Sequence, residues 1–493
     1  MKKSSSTINF LYSMIYQGLI MILPLATAPY LARVIGAEGA GIYSYTFSIA
    51  QYFLYFAMLG VNNYGNRSIS AVRDKGQDEL NKTFSSIFVF QVMTSALSIT
   101  AYVFYLCLGV KENFLIAAFQ LIFVASALLD INWFFFGLEE FKKTVTRKIF
   151  IKLMTVACVF IFVKSADDLW KYTLIMTLSY FVGQIYLWMF VRKFVSFVKI
   201  DYRTVFKHFK PNLLLFVPLI ATSIYRIMSK IMIGNFSTMA EVGYYEYSEK
   251  LINICLAAIV ALGTVMLPKM SNLVANNKNE ELEKYLEKSM QVAMFMGCAI
   301  AFGLASISND FIPIFYGKGF EDSIVITKML TITVLFISWA NVIRMQYLIP
   351  NKMEHVFVKA VCLGAVLNFA INLITIPKLG AIGAAIGTIS AELFVSIYQT
   401  YCVRKKLHLY KFLRQGVIYL FSGLVMFSVV TVISSYAQPS IFMLLCEIFI
   451  GASIYMSICI LYFVKTRNEL FLRVIRIFSI KQRFKTKVKV SNE

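Results

Sequence analysis

Arg226 and Lys230 stand four residues apart inside an apolar run, which on a helix places both cations on one face. Like charges at that spacing repel one another unless an anion or two carboxylates lie between them. The chemistry such a pair offers is capture of a phosphate-type anion, for which the planar fork of arginine is suited. The plainer alternative has Lys230 reaching the outer interface and Arg226 paired with an acid. Glu246, Glu249, Lys250 and Asn253 share a face of the next run. Glu246 followed by Lys250 is the favourable i,i+4 order for an intrahelical ion pair; the competing reading is that Glu246 or Glu249 titrates and couples a cation or proton. Asp130 can pair with Lys152 or Arg147 across a helix hairpin, Arg33 lies three residues before a turn at Gly36, and Arg344 precedes Pro350. Glu392 and Glu447 stand in apolar runs with no basic residue nearby in sequence, which makes each a candidate for a protonated, hydrogen-bonded acid.

What these charges cost depends on the elements that carry them. The 493 residues are 59% hydrophobic and 15% charged, against about 25% charged in an ordinary soluble domain, and the mean hydropathy is +0.69. At about 20 apolar residues per bilayer span, this content supplies about fourteen spans. A soluble enzyme, a disordered chain and a secreted disulfide scaffold are excluded. Apolar runs of helical length fall at 8–34, 41–64, 83–110, 114–137, 149–163, 171–191, 211–234, 243–267, 289–308, 323–349, 356–376, 381–403, 413–436 and 441–464. None alternates with period two for long enough to suggest a barrel. The stretch after Met1-Lys2-Lys3 is too long for a signal peptide's apolar core, so it is read as the first span. An intramembrane charge costs about 2.5–3.5 kcal/mol on insertion scales, and each such residue is a functional suspect.

The net charge of +22 comes from 48 Lys and Arg against 26 Asp and Glu. With the N-terminus inside, alternating connections assign 36 basic residues to the inner face and five to the outer. This asymmetry predicts a multi-pass protein of the cytoplasmic membrane with both termini cytoplasmic. Because the excess is spread over every inner loop, nucleic acid is not the partner it implies. The eight cysteines lie in or beside apolar runs without a C-x-x-C pair, and the three histidines lie in polar connections. Neither pattern points to a metal or a cofactor, and no loop is long enough to hold a catalytic domain.

The chain repeats itself. Ile35-Gly36 followed by Ala40-Gly41-Ile42-Tyr43-Ser44-Tyr45 is echoed by Ile233-Gly234 followed by Val242-Gly243-Tyr244-Tyr245-Glu246-Tyr247. Leu59-Gly60 corresponds to Leu262-Gly263, and Lys82-Thr83-Phe84 to Lys288-Ser289-Met290. The expected fold is an all-α polytopic membrane protein of about fourteen helices, with two parallel six-helix lobes and two further helices. Its parts are an N-terminal lobe at 1–191, a cytoplasmic linker at 192–210, a second lobe at 211–403, two helices within 404–464 and a basic tail at 465–493. Parallel repeats about an axis along the membrane normal are a common transporter plan. Pro24, Pro29 and Pro218 are expected to break the first helix of each half. The tyrosines at the repeat starts (Tyr43, Tyr45, Tyr244, Tyr245, Tyr247) suit either an aromatic belt or contact with sugar.

Three stretches, with a weaker fourth at Gln346-Tyr347-Leu348-Ile349-Pro350, carry a family resemblance: Leu31-Ala32-Arg33-Val34-Ile35-Gly36-Ala37-Glu38-Gly39 through Tyr64-Gly65-Asn66-Arg67; Asp130-Ile131-Asn132-Trp133-Phe134-Phe135-Phe136-Gly137-Leu138-Glu139-Glu140-Phe141-Lys142; and Asn368-Phe369-Ala370-Ile371-Asn372-Leu373 through Ile376-Pro377-Lys378-Leu379-Gly380-Ala381-Ile382-Gly383-Ala384-Ala385. They resemble the polysaccharide transporter family, the Wzx-type oligosaccharide flippases of the multidrug/oligosaccharidyl-lipid/polysaccharide exporter superfamily. The second stretch departs from the family's common Gln at Phe136. The resemblance makes Arg67, Trp133, Phe134, Gly137, Glu139, Asn368, Asn372 and Pro377 family-motif residues. It implies a flippase, not an enzyme, that moves an undecaprenyl-pyrophosphate-linked oligosaccharide repeat unit across the cytoplasmic membrane for capsule, O-antigen or exopolysaccharide synthesis. Its partners would be membrane lipids and the polysaccharide polymerase and glycosyltransferases of the pathway. Against that substrate, Arg226, Lys230, Lys250, Arg344 and Arg33 are the candidates for a cationic cavity, and Glu246, Glu249, Asp130 and Glu392 for ion coupling. The rivals are a lipid-linked peptidoglycan precursor flippase and a multidrug cation exporter, the latter wanting a net acidic cavity.

Overall fold

Inside a bilayer each backbone N–H and C=O must find a partner within the protein, and a helix provides one locally. Every regular element of the computed structural model is accordingly helical. It describes residues 6–436 and 438–466; the basic tail 467–493 lies outside the described residues, and so does the side chain of Arg226. In chain order the helices are α1 (Ser6–Met58), α2 (Val61–Val72), α3 (Gln77–Gly109), α4 (Phe114–Ala125), α5 (Asn132–Gly137), α6 (Phe141–Phe162), α7 (Leu169–Val191), α8 (Tyr202–Phe206), α9 (Phe209–Phe236), α10 (Met239–Ala275), α11 (Asn279–Tyr316), α12 (Asp322–Ile343), α13 (Glu354–Val403), α14 (Leu409–Tyr436) and α15 (Ile441–Thr466). Among the described residues nine helices are long and apolar enough to cross a membrane, or ten when Tyr202–Ile224 and Ile227–Phe236 count as one span.

α1 has 53 residues and α13 has 50. A straight helix of that length would extend about 75–80 Å, against a hydrocarbon core of about 30 Å, so each must turn. The turns fall at glycines: Gly36 (φ 69°, ψ −178°) and Gly380 (φ 54°, ψ −129°), conformations in which a side chain is strained. The Ala381 amide freed by the second turn donates to Glu241 Oε2 at 2.7 Å. Pro24, Pro29 and Pro218, where the sequence suggests breaks, instead lie inside α1 and α9, which continue through them. Proline removes one helix hydrogen bond but keeps a helical φ, whereas at Gly36 and Gly380 the backbone leaves helical geometry through a positive φ.

Two compact units divide the chain. The first comprises residues 1–250, 315–326 and 361–391, and the second 251–314, 327–360 and 392–493. In the first, the apolar core gathers Phe84, Ile87, Trp133, Phe134, Phe135, Leu187 and Val191. In the second it gathers Met290, Met294, Cys298, Trp339, Tyr419, Met426 and Tyr455.

Candidate functional site

The longest unbroken charge network of the first unit joins α9 to the start of α10. Lys230 Nζ lies 2.6 Å from Glu246 Oε2 and 2.8 Å from Glu249 Oε2, and Lys250 Nζ lies 3.0 Å from Glu246 Oε1. Ser44 on α1 donates to Glu246 Oε2 at 2.8 Å. The two carboxylates that like charges on α9 require are therefore present around Lys230. The i,i+4 pair expected of Glu246 and Lys250 forms as well. Lys230 and Glu246 are largely buried, while the Lys250 side chain remains 41% exposed.

A second basic cluster comes from α6, where Arg147 adjoins Lys148 and Lys152 follows Lys148 one turn later. Arg147 is counted with the inner loops in the sequence but is buried, 6% exposed. Its guanidinium donates to the Gly183 carbonyl (2.9 Å), Gln184 Oε1 (3.0 Å) and Asn132 Oδ1 (2.8 Å). Asn132 in turn donates to Asp130 Oδ1 through its backbone N–H (2.9 Å) and its Nδ2 (2.6 Å). Of the two basic partners that sequence suggests for Asp130, Arg147 thus reaches it through Asn132. Lys152 lies within electrostatic reach of Lys250 of α10, and no carboxylate among the described residues forms an ion pair with Lys152. Arg147, Lys148, Lys152, Lys230 and Lys250 thus share this part of the first unit with Asp130, Glu246 and Glu249. The spacing of Lys148 and Lys152, four residues apart at the edge of an apolar run, was the available sequence signal for this cluster.

The other candidates have different surroundings. Arg33, on the first segment of α1, packs its aliphatic stem at Gly317. Arg344 belongs to the second unit; its guanidinium donates to Asn341 Oδ1 at 2.8 Å and lies 5.0 Å from the Phe357 ring centre. Glu392, also in the second unit, is 8% exposed.

The repeat starts pack reciprocally on one another. A Cβ on Gly41 would fall 1.7 Å from the Met239 carbonyl oxygen, and one on Gly243 would fall 2.0 Å from that of Ala37. Only glycine permits this backbone-to-backbone approach. Tyr45 donates to Asn235 Oδ1 at 2.7 Å beside it, and Tyr245 shares a 2.8 Å hydrogen bond with Thr388. Tyr43 packs against Tyr172 with ring centres 4.7 Å apart, while Tyr247 packs on Tyr316 and Phe320. These tyrosines are contacts between helices.

The motif residues build the framework of this region. The span 114–137 opens at Asp130, which is extended (φ −75°, ψ 100°). Gln91 repairs the opening: its Nε2 donates to the carbonyls of Ala127 (2.6 Å) and Asp130 (2.9 Å), and its Oε1 accepts from Trp133 Nε1 (2.8 Å). Trp133 and Phe134 are fully buried, and Gly137 packs on Ile69. Glu139 binds Arg73 at 2.7 Å, whereas Arg67 is exposed on α2. Asn372 on α13 donates to Ser229 Oγ (3.1 Å) and Asn368 Oδ1 (3.0 Å), and Pro377 lies three residues before the turn at Gly380.

The model of the family described as "Polysaccharide biosynthesis protein" matches residues 6–274, more than half of the chain. The chain belongs to this family. It is 22% identical over 400 residues to a putative O-antigen transporter of Shigella dysenteriae, an alignment covering 80% of this chain and 99% of that protein. A putative O-antigen transporter of Escherichia coli (strain K12) is 22% identical over 401 residues, with 80% and 96% covered. Among solved structures, the lipid II flippase MurJ in an inward closed conformation superimposes with a TM-score of 0.74 at 16% identity, covering 94% of this chain and all of that one. An inward-facing multidrug resistance MATE family transporter gives 0.52 at 12% identity, with 84% and 99% covered. These likenesses establish the fold. A polysaccharide biosynthesis protein of this fold is a multi-pass membrane transporter, and the family bears out the resemblance carried by the W-F-F-x-G-L-E stretch.

Proposed function

We propose that this chain flips an undecaprenyl-pyrophosphate-linked oligosaccharide repeat unit from the cytoplasmic to the outer leaflet of the cytoplasmic membrane, supplying a pathway for capsule, O-antigen or exopolysaccharide. The observation that carries this reading is the cationic excess along α6 and α10, and above all Lys152 within electrostatic reach of Lys250. A pyrophosphate set between two lysines removes their repulsion and replaces the water that both lose. A cation exporter would need the opposite balance. The putative O-antigen transporters among the relatives support a polysaccharide precursor as cargo; the likeness to MurJ, at its low identity, speaks to fold alone.

Transport proceeds by alternating access. The lobes 1–191 and 211–403, joined by the linker 192–210, present the cationic face first inward and then outward, with about fourteen spans in all and both termini in the cytoplasm. The prenyl tail stays in lipid throughout. The Gly41 and Gly243 contact, with Ser44 on Glu246 and Tyr45 on Asn235, holds the outer side closed until the substrate disturbs the Lys230 network. A headgroup of charge −2 gains about 4–5 kcal/mol per 100 mV on moving outward from a negative interior, so a coupling ion is not required energetically. The polymerase and glycosyltransferases of the pathway act on either side of this step.

Loss of the protein should leave the lipid-linked repeat unit on the cytoplasmic leaflet and the surface without polysaccharide. If peptidoglycan precursor accumulates there instead, the peptidoglycan reading takes the place of this one.

A further inference from the structure

Asp310 on α11 and Glu447 on α15 are 3% and 0% exposed. The Ser434 hydroxyl on α14 donates to Asp310 Oδ2 at 2.7 Å. A hydroxyl has one proton to give. Glu447 lies within hydrogen-bonding reach of both Asp310 and Ser434, yet its two carboxylate oxygens are left with no donor. A buried carboxylate without a donor is an expensive group, and a second carboxylate beside it adds repulsion that only a shared proton or a cation relieves.

The charged neighbours favour one arrangement of that proton. Lys328 on α12 acts electrostatically on Asp310, its Nζ donating to Asn309 Oδ1 at 2.8 Å. Asp310 thus has the Ser434 hydroxyl as its donor and Lys328 as a cation acting on it. No cation among the described residues acts on Glu447, whose charged and polar neighbours are Asp310 and Ser434. A proton on Glu447, donated to Asp310, satisfies both carboxyls with the groups already in place.

We propose that Asp310 and Glu447 form a proton-binding site within the second unit, with Glu447 as the carrier and Asp310 and Ser434 as its positioning residues. Loaded, the site ties α15 and α14 to α11 by a chain of hydrogen bonds. Emptied, it leaves two anions in apolar surroundings, and the helix pair loosens from α11. The existence of the site does not depend on the substrate proposed above.

The test is an infrared pH titration of the full-length protein in lipid, in sodium-free buffer. The wild type should show a protonated-carboxyl stretch at neutral pH that bleaches reversibly as the pH rises. Glu447→Gln should lose that component while keeping its helical amide bands and its monodisperse elution. Should Glu447→Gln fail to fold, Ser434→Ala leaves both carboxyls in place. By removing a donor that eases the doubly charged state, it should raise the proton affinity by about tenfold, moving the bleaching upward by about one pH unit. A Glu447→Gln spectrum that superimposes on the wild type throughout the titration, or a Ser434→Ala titration that does not move, would overturn the proposal. So would bleaching of the band by added sodium at fixed pH, which would make the dyad a metal-cation site.

Discussion

Lys230 and Lys152 are both lysines within apolar helices, and their surroundings give them opposite roles. Lys230 is held by Glu246 and Glu249 at 2.6 and 2.8 Å. Its removal would leave two buried acids short of a cation, a loss of about 3–5 kcal/mol for a buried network. Lys230→Ala should therefore lower the melting temperature in detergent, and adding Glu249→Gln should recover part of the loss. Lys152 has no acid to abandon. Lys152→Ala should melt close to the wild type while losing export, and a large drop in its melting temperature would make it a structural residue. The Glu246 and Lys250 pair was legible in the sequence because both residues belong to one helix at a known spacing. The grip of Glu246 and Glu249 on Lys230 was not, because it joins two helices whose rotation no local pattern reports. Arg147 was misplaced for a related reason: the sequence shows a basic residue at the edge of an apolar run, and only Gln184, Gly183 and Asn132 reveal that it is buried.

At the scale of elements, the W-F-F stretch is a repaired break. The carbonyls of Ala127 and Asp130 lose their helical partners in a medium without water, and Gln91 on α3 supplies both hydrogen bonds. Gln91→Leu keeps the volume and leaves the Ala127 carbonyl to the Asp130 amide at 3.3 Å and the Asp130 carbonyl to Trp133 Nε1 at 3.1 Å, so it should cost about 0.5–1.5 kcal/mol for each hydrogen bond lost. Thermal unfolding of the purified variant measures it; an unshifted transition would mean that the break satisfies itself. Trp133 was visible in sequence as a motif residue, but Gln91 stands some forty residues away with nothing to mark it. The positions of the helices themselves were legible, since apolar runs of this length have few alternatives. The turns were misread, because proline is the familiar breaker, whereas the chain reverses at Gly36 and Gly380, where φ is positive. Close approach at Gly41 and Gly243 makes a related prediction. Gly41→Val must push the two repeat starts apart, so a crosslink between cysteines introduced at Ser44 and Asn235 should form less readily than in its absence. Equal crosslinking would show that the contact yields without opening.

For the whole molecule, the asymmetry of 36 inner to five outer basic residues predicts that both termini lie inside. A cysteine introduced at Asp167, in the short connection before α7, should react with an impermeant reagent added from outside intact cells. Labelling only after permeabilisation would invert the proposed topology. Transport of a −2 headgroup should also quicken as the interior is made more negative, because each charge contributes about 2.3 kcal/mol per 100 mV.

The measurement closest to the central claim is flipping of an undecaprenyl-pyrophosphate-linked oligosaccharide by purified protein in sealed vesicles, comparing wild type with Lys152→Glu at equal insertion. Capture of the pyrophosphate between Lys152 and Lys250 predicts rapid flipping by the wild type. Lys152→Glu should be slower than Lys152→Ala, because a carboxylate facing Lys250 both repels the phosphate and takes up its partner. Wild-type rates in Lys152→Glu would contradict a cationic binding face on α6 and α10.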